Sequence, residues 1–251
     1  MKTFRKIFLA VTFVLIAVSA NAQFSYGVKA GLNLSTLNGL KDALAEGENS
    51  NYKPGFHIGV AAQYMFTPQA GIETGLYYTT LGVKTSLDYS EEAGGIKVSM
   101  KEETTLSPAY LQLPVSFLYK FQIGEGLSLY PQVGIYLGYG IGGKIKAKVT
   151  GDFAGISANR TMERNFFGED AMKITEGEGK GETETVKTEF TNRFDLGGTV
   201  GLNLQYTNFV FGVGYDLGLL KVNKEEIEGE AGKKLSDWKN GNIRVSVGYF
   251  F

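Results

Sequence analysis

The chain has 251 residues, a formal net charge of −1 and no cysteine. That balance gives no hint of nucleic-acid binding, and without thiols there is no disulfide, thiolate metal site or cysteine nucleophile. Its 34 glycines disfavour helices and, with 14 tyrosines and 17 phenylalanines, fit an all-β chain with many turns.

The first residues read as an export signal. Lys2, Arg5 and Lys6 precede an apolar run from Ile7 to Val18, and Ala20-Asn21-Ala22 offers a small-x-small cleavage site before Gln23. The run is shorter than the roughly 20 residues of a membrane-spanning helix. Residues 1–22 are therefore expected to be a cleaved signal peptide, and residues 23–251 the exported domain. Losing the three cations moves the net charge from −1 to −4.

Strict alternation then recurs eight times, and alternate side chains of a strand point to opposite faces. In 24–35 the apolar set is Phe24, Tyr26, Val28, Ala30, Leu32 and Leu34, opposite Lys29. In 55–66 it is Phe56, Ile58, Val60, Ala62, Tyr64 and Phe66, opposite His57 and Gln63. Segments 71–84, 110–121 and 127–143 follow, with Glu73, Gln112, Lys120 and Gln132 on their polar faces. Segments 194–206 and 209–220 carry Asp195, Asn203, Gln205 and Asp216 there, and the terminal "IRVSVGYFF" sets Ile243, Val245, Val247, Tyr249 and Phe251 against Arg244.

The links alternate in length. "TPQA", "QIGEG" and "TN" are short, whereas 36–53, 85–107, 144–193 and 222–240 are long and charged. This predicts an up-and-down meander with every tight turn at one end. Alternation persists into two of the long links, so 81–89 is expected to pair with 96–106, and 141–150 with 183–193, around an acidic tip near "EGEGKGE".

A soluble eight-stranded lipocalin would turn its apolar face inward and present charges to water. Here the face opposite the apolar one is mostly Gly, Ser, Thr, Asn and Gln, with about one charge per strand. Glycine and small polar residues suit the crowded interior of an eight-stranded barrel. The apolar faces are charge-free over about 9–11 residues and tipped by Tyr and Phe, as a tilted transmembrane strand requires. The expected fold is an all-β, eight-stranded antiparallel transmembrane barrel with long extracellular hairpins and periplasmic termini. An apolar C-terminal strand then makes sense, because barrel closure pairs both its edges.

Lys29, Glu73, Lys120, Asp195, Asp216 and Arg244 should face the lumen as a charge network. Counting from the short turns sets Glu73 and Lys120 near the bottom of adjacent strands, and Lys29, Asp216 and Arg244 at one middle height. Arg244 would then pair with Asp216 and lie close to Lys29, plugging the lumen against conductance.

The leader ending in "NAQ", then "FSYGVKAGLNLS", "YLQLPVSFLYKF", "FDLGGTVGLNLQY" and the aromatic last strand resemble the PorT-like outer-membrane β-barrels of Bacteroidetes. The resemblance spans the mature chain, but its motifs describe strands and carry no chemistry. It implies outer-membrane location and assembly by the barrel-insertion machinery, with the C-terminal Phe251, two residues after Tyr249, as assembly signal. One member assists protein secretion, a role that fold alone does not transfer.

Other motifs are weaker. The only histidine, His57, lies near the outer end of strand two, where a rim enzyme could use it. A locally hydrogen-bonded histidine is the simpler reading, since no second His, HExxH or GxSxG accompanies it. Gly138, Gly140 and Gly143 match GxGxxG, but alternation runs through them where a dinucleotide site needs a strand-to-helix turn. The acidic runs at 90–95, 176–182 and 223–230 lack the ligand spacing of a calcium loop. "NLS" at 33–35 and "NRT" at 159–161 are chance-grade glycosylation matches. The expected function is non-catalytic, without cofactor or metal: a monomeric barrel contacting outer-membrane lipid, whose loops serve adhesion, an envelope or surface protein partner, or a scaffold in assembly or secretion. A small pore and a rim enzyme are the alternatives.

Overall fold

A computed structural model describes residues 23–40, 44, 48–93, 96–153, 156–167, 170–176, 182–186, 191–223 and 237–251. The expected leader at 1–22, the centre of the "EGEGKGE" run and most of the 223–230 run lie outside these residues. Thirteen strands are described: β1 Phe24–Asn38, β2 Glu48–Met65, β3 Ala70–Thr80, β4 Val83–Ala93, β5 Ile96–Tyr119, β6 Phe121–Gly124, β7 Leu127–Phe153, β8 Ile156–Asn165, β9 Asp170–Glu176, β10 Glu182–Val186, β11 Phe194–Tyr206, β12 Phe209–Gly218 and β13 Lys239–Phe250.

Eight of them close a ring. β1 pairs β2, β2 pairs β3, β3 pairs β5, β5 pairs β7, β7 pairs β11, β11 pairs β12, β12 pairs β13, and β13 returns to β1, all antiparallel. Closure leaves no free edge within the ring, and it ties down the C-terminus. The Phe251 amide donates to the Tyr26 carbonyl at 2.8 Å, and the Phe251 ring packs 5.5 Å from that of Tyr26. The remaining five strands explain the excess over eight. β6 continues β5 beyond Lys120, while β4, β8, β9 and β10 belong to the hairpins at the long-link end.

The apolar face points outward. Leu32, Ile58, Val60, Val133, Ile135, Leu137, Phe211, Val213 and Val245 are all exposed, Leu32 at 69 %. In water such a belt would be a severe liability; in hydrocarbon it is the solvent-matched surface. Aromatic contacts rim both edges of the belt. Tyr64–Phe66, Tyr119–Phe121, Phe209–Tyr249 and Tyr249–Phe251 lie at the short-turn end, and Phe56–Tyr78 and Tyr139–Phe194 at the other. The stretch from Phe56 to Phe66 corresponds to roughly 25 Å along the membrane normal at the usual strand rise and tilt.

Beyond the belt the same sheet continues. β4 and β5 form the expected hairpin, Val83 facing Leu106 and Ala93 facing Ile96. The other long link differs from expectation. Residues 144–153 of β7 pair with β8 at 156–165 in place of the expected 183–193, of which 187–190 lie outside the described residues, and β10 pairs with β9. Closing a loop of a few residues costs less chain entropy than closing one of more than thirty, and the alternation of 156–165 serves equally well as a partner. The projecting sheet runs β4-β5-β7-β8-β9-β10, with the start of β2 paired to β4.

Candidate functional site

The inward face builds the lumen in three layers. At the short-turn end Ala61, Tyr77, Leu118, Tyr130, Val210 and Phe250 form a buried apolar cluster with Met65 against it. At the hairpin end a second cluster joins Leu37, Leu40, Leu81, Val83, Tyr110, Phe166, Phe167 and Val222, backed by Leu106, Ile145 and Trp238. Between them lies the polar middle.

The strands position the charges of that middle. Arg244 faces Gly214 on β12 and Asn33 on β1, so its long side chain has glycine space to cross. Its Nε stands 2.9 Å from Asp216 Oδ2, and its Nη2 donates to Thr199 Oγ1 at 2.8 Å. The Nε–H does not point at the carboxylate, so the pair is coulombic and the Thr199 hydroxyl supplies the directed bond. Asn242 donates to the same Asp216 oxygen at 3.2 Å.

Lys29 pairs elsewhere. It faces Gly248, four residues nearer the terminus than Arg244, and its Nζ reaches Glu73 Oε1 at 2.6 Å with both side chains buried. The expected nearness to Arg244 holds across a small shared cavity, but barrel strands tilt, so equal counts from the turns are not equal heights and the partner of Lys29 is Glu73. Glu73 is held from its other oxygen by Gln63 Nε2 at 2.8 Å. Lys120, at the break between β5 and β6, donates to Gln63 Oε1 and Gln205 Oε1, both at 2.9 Å, and sits 5.4 Å from the Tyr130 ring centre. Its partners are amides and an aromatic face, not a carboxylate. Asp195 accepts from Asn240 Nδ2 at 2.8 Å and the Tyr136 hydroxyl at 3.2 Å. The six charges thus form two ion pairs and two singly charged, hydrogen-bonded centres.

His57 is not at the rim. It is 3 % exposed inside the lumen, its Nδ1 is 2.8 Å from Asn33 Oδ1, and its ring meets Tyr77 edge-on. Asn33, of the "NLS" match, is likewise buried. A cavity of about 20 Å³ remains beside Lys29, His57, Glu73, Ser116, Arg244 and Ser246, room for about one water molecule.

The mouth at the hairpin end is stopped by residues that sequence reasoning left in a loop. Phe166 and Phe167 follow β8 and fold back into the lumen, held where the Phe166 amide donates to the Gly143 carbonyl and its carbonyl accepts from Thr191 Oγ1. Phe167 packs edge-on to Tyr110 and beneath the Arg193 guanidinium. Gly140 makes the space, since a Cβ there would stand 2.3 Å from the Phe167 ring. Within "GYGIGG", Gly140 therefore serves packing and Gly143, at φ +130°, a bend, both inside the one strand β7. The signal for this cap was an apolar pair, "FF", stranded in a polar stretch.

The family profile described as "Outer membrane protein beta-barrel domain" matches residues 19–223. No curated protein matches. Similar solved structures include Ail, the attachment invasion locus protein of Yersinia pestis, in complex with the heparin analogue sucrose octasulfate: 17 % identity, 91 % of this chain and 99 % of that one covered, TM-score 0.32. Neisserial surface protein A shares 14 % identity over 92 % and 98 % of the two chains, TM-score 0.36. OprG of Pseudomonas aeruginosa shares 13 % over 91 % and 94 %, TM-score 0.34.

Proposed function

Because the chain belongs to the outer membrane protein β-barrel domain family, we propose that it is a non-catalytic outer-membrane protein, monomeric, whose projecting hairpin sheet binds a protein partner at the surface or in the envelope. The observation that carries this reading is the division of the molecule into a filled barrel and a broad sheet beyond it. Apolar clusters stop the lumen at both ends, while β4, β5, β7, β8, β9 and β10 build a continuous sheet past the membrane belt. β10 is a described edge with only β9 beside it, and an open edge or a flat sheet face is a common protein-docking surface.

Burial of His57 leaves it no access to a lipid or peptide substrate, which favours the non-catalytic role. The filled lumen favours binding over transport. We take the termini and short turns as periplasmic and the hairpins as extracellular, with Tyr249 and Phe251 read by the barrel-insertion machinery, in keeping with the PorT-like resemblance of the strand segments. The test is cross-linking and capture from intact envelopes, comparing the whole protein with a variant in which residues 148–189 are replaced by a short turn. A partner captured by the first and lost from the second supports the reading. The same captured set from both would contradict it.

A further inference from the structure

Where the barrel wall gives way to the projecting sheet, two kinks open a groove on the outer surface. The first is at Leu81-Gly82, between β3 and β4, where β2 leaves β3 (His57 facing Thr79) and joins β4 (Tyr52 facing Val83). The second is at Gly143 of β7, beside the register shift at Ala109/Tyr110. Gly82 has φ +141° and Gly143 φ +130°, and a Cβ would stand 1.9 Å from the Leu106 carbonyl at the first and 2.3 Å from the Ser107 carbonyl at the second. Both kinks therefore require glycine.

The groove has a volume of about 760 Å³. Phe56, Tyr78 and Ile141 line its membrane side, and Lys53, Lys84, Lys144 and Lys146 its other side. The register sets Lys84 opposite Thr105 and Thr105 opposite Lys146, on the face away from the buried Val83 and its cross-strand neighbours Leu106 and Ile145. These lysines look outward, just past the Phe56–Tyr78 aromatic pair that marks the belt's edge. One carboxylate, Glu163, lines the groove; it stands directly across from Lys146 in the β7–β8 register and is engaged by Lys144. Lys53, Lys84 and Lys146 make no ion pair with any described residue. Lys53 is half-buried beside Lys84, and burial together with that neighbouring charge lowers its pKa. Three ammonium groups are thus crowded around a cleft whose floor is apolar.

We propose that this groove binds an acyl lipid with a phosphate-bearing headgroup, taken from the membrane leaflet that borders the hairpins. The chains would lie along Phe56, Tyr78 and Ile141, while Lys53, Lys84 and Lys146 hold the phosphate. Clustered basic residues at a membrane surface select anionic headgroups in this way, and the groove's height at the belt edge fits a membrane lipid better than a soluble anion. The groove takes Lys84, Lys144, Lys146 and Glu163 from the base of the hairpin sheet, but lipid retention there does not depend on whether that sheet binds a protein partner.

The experiment uses the full mature chain, folded in detergent and offered diphosphoryl lipid A, the same lipid without phosphates, or inorganic phosphate. Retention of lipid through washing is read by mass spectrometry of the intact complex. The phosphorylated lipid should be retained and the phosphate-free lipid should not. Lys84→Gln with Lys146→Gln should lower retention about tenfold or more, with folding verified by unchanged gel mobility. Phe56→Ala with Tyr78→Ala should also lower lipid retention. Equal retention of the phosphate-free lipid, unchanged retention in the lysine variant, or displacement of the lipid by millimolar inorganic phosphate would each overturn the proposal. A failure here would leave the partner-capture result untouched, so the two readings fall separately.

Discussion

Replacing Asp216 by alanine should destabilise the folded barrel, and adding Arg244→Ala should restore part of the loss. Asp216 is 3 % exposed and lies 2.9 Å from the Arg244 Nε. At an effective dielectric of about 20 that separation corresponds to roughly 6 kcal/mol of attraction, most of it offset by the cost of burying both charges. Removing one partner of a buried pair typically costs about 3–5 kcal/mol, because the survivor remains buried and uncompensated. Arg244 would keep its bond to Thr199 and the adjoining water-sized cavity, so the lower end, about 3 kcal/mol, is expected. The double variant removes the stranded charge and should recover about 1–2 kcal/mol of that. The exposed Lys101–Glu103 pair is the control, where either alanine should change stability by less than about 1 kcal/mol. Unfolding by denaturant from lipid vesicles, followed by gel mobility of folded and unfolded forms, measures all of these. Strictly additive effects of Asp216→Ala and Arg244→Ala would refute the coupling.

Three further outcomes test other parts of the structure. Val213→Arg puts a charge into the lipid-facing belt and should cost about 2–4 kcal/mol near the midplane, whereas Gly198→Ala, where a Cβ meets only the Gly134 carbonyl at 4.0 Å, should be neutral; the same unfolding assay compares them. Gly140→Val should expel Phe167 from the mouth and cost about 1–3 kcal/mol, and Phe167→Ala should relieve most of it. Deleting Phe251 should lower the yield in the outer-membrane fraction of cells, and an unchanged yield would remove its assembly role.

Much of this fold was legible because a period of two over eight segments admits few arrangements, and the absence of charge from one face decides which side meets lipid. Val28, Ile58 and Val245 could be assigned outward from the sequence alone, and their exposure follows. The choice of partners was harder. Lys144, Lys146 and Lys148 alternate in a way that any β-strand could accept, so the sequence did not distinguish 156–165 from 183–193. The Lys29–Glu73 pairing was not legible because stagger is a property of the closed ring and not of any one strand. Phe166 and Phe167 were hidden by their polar neighbours, since a cap is defined by the mouth it fills.

Whether the barrel is filled is tested most directly by single-channel recording of the purified full chain in planar bilayers. The account predicts no steady conductance, because Phe166, Phe167 and Tyr110 stop one end of the lumen and Tyr130, Leu118 and Phe250 the other. Large, steady channels would contradict it.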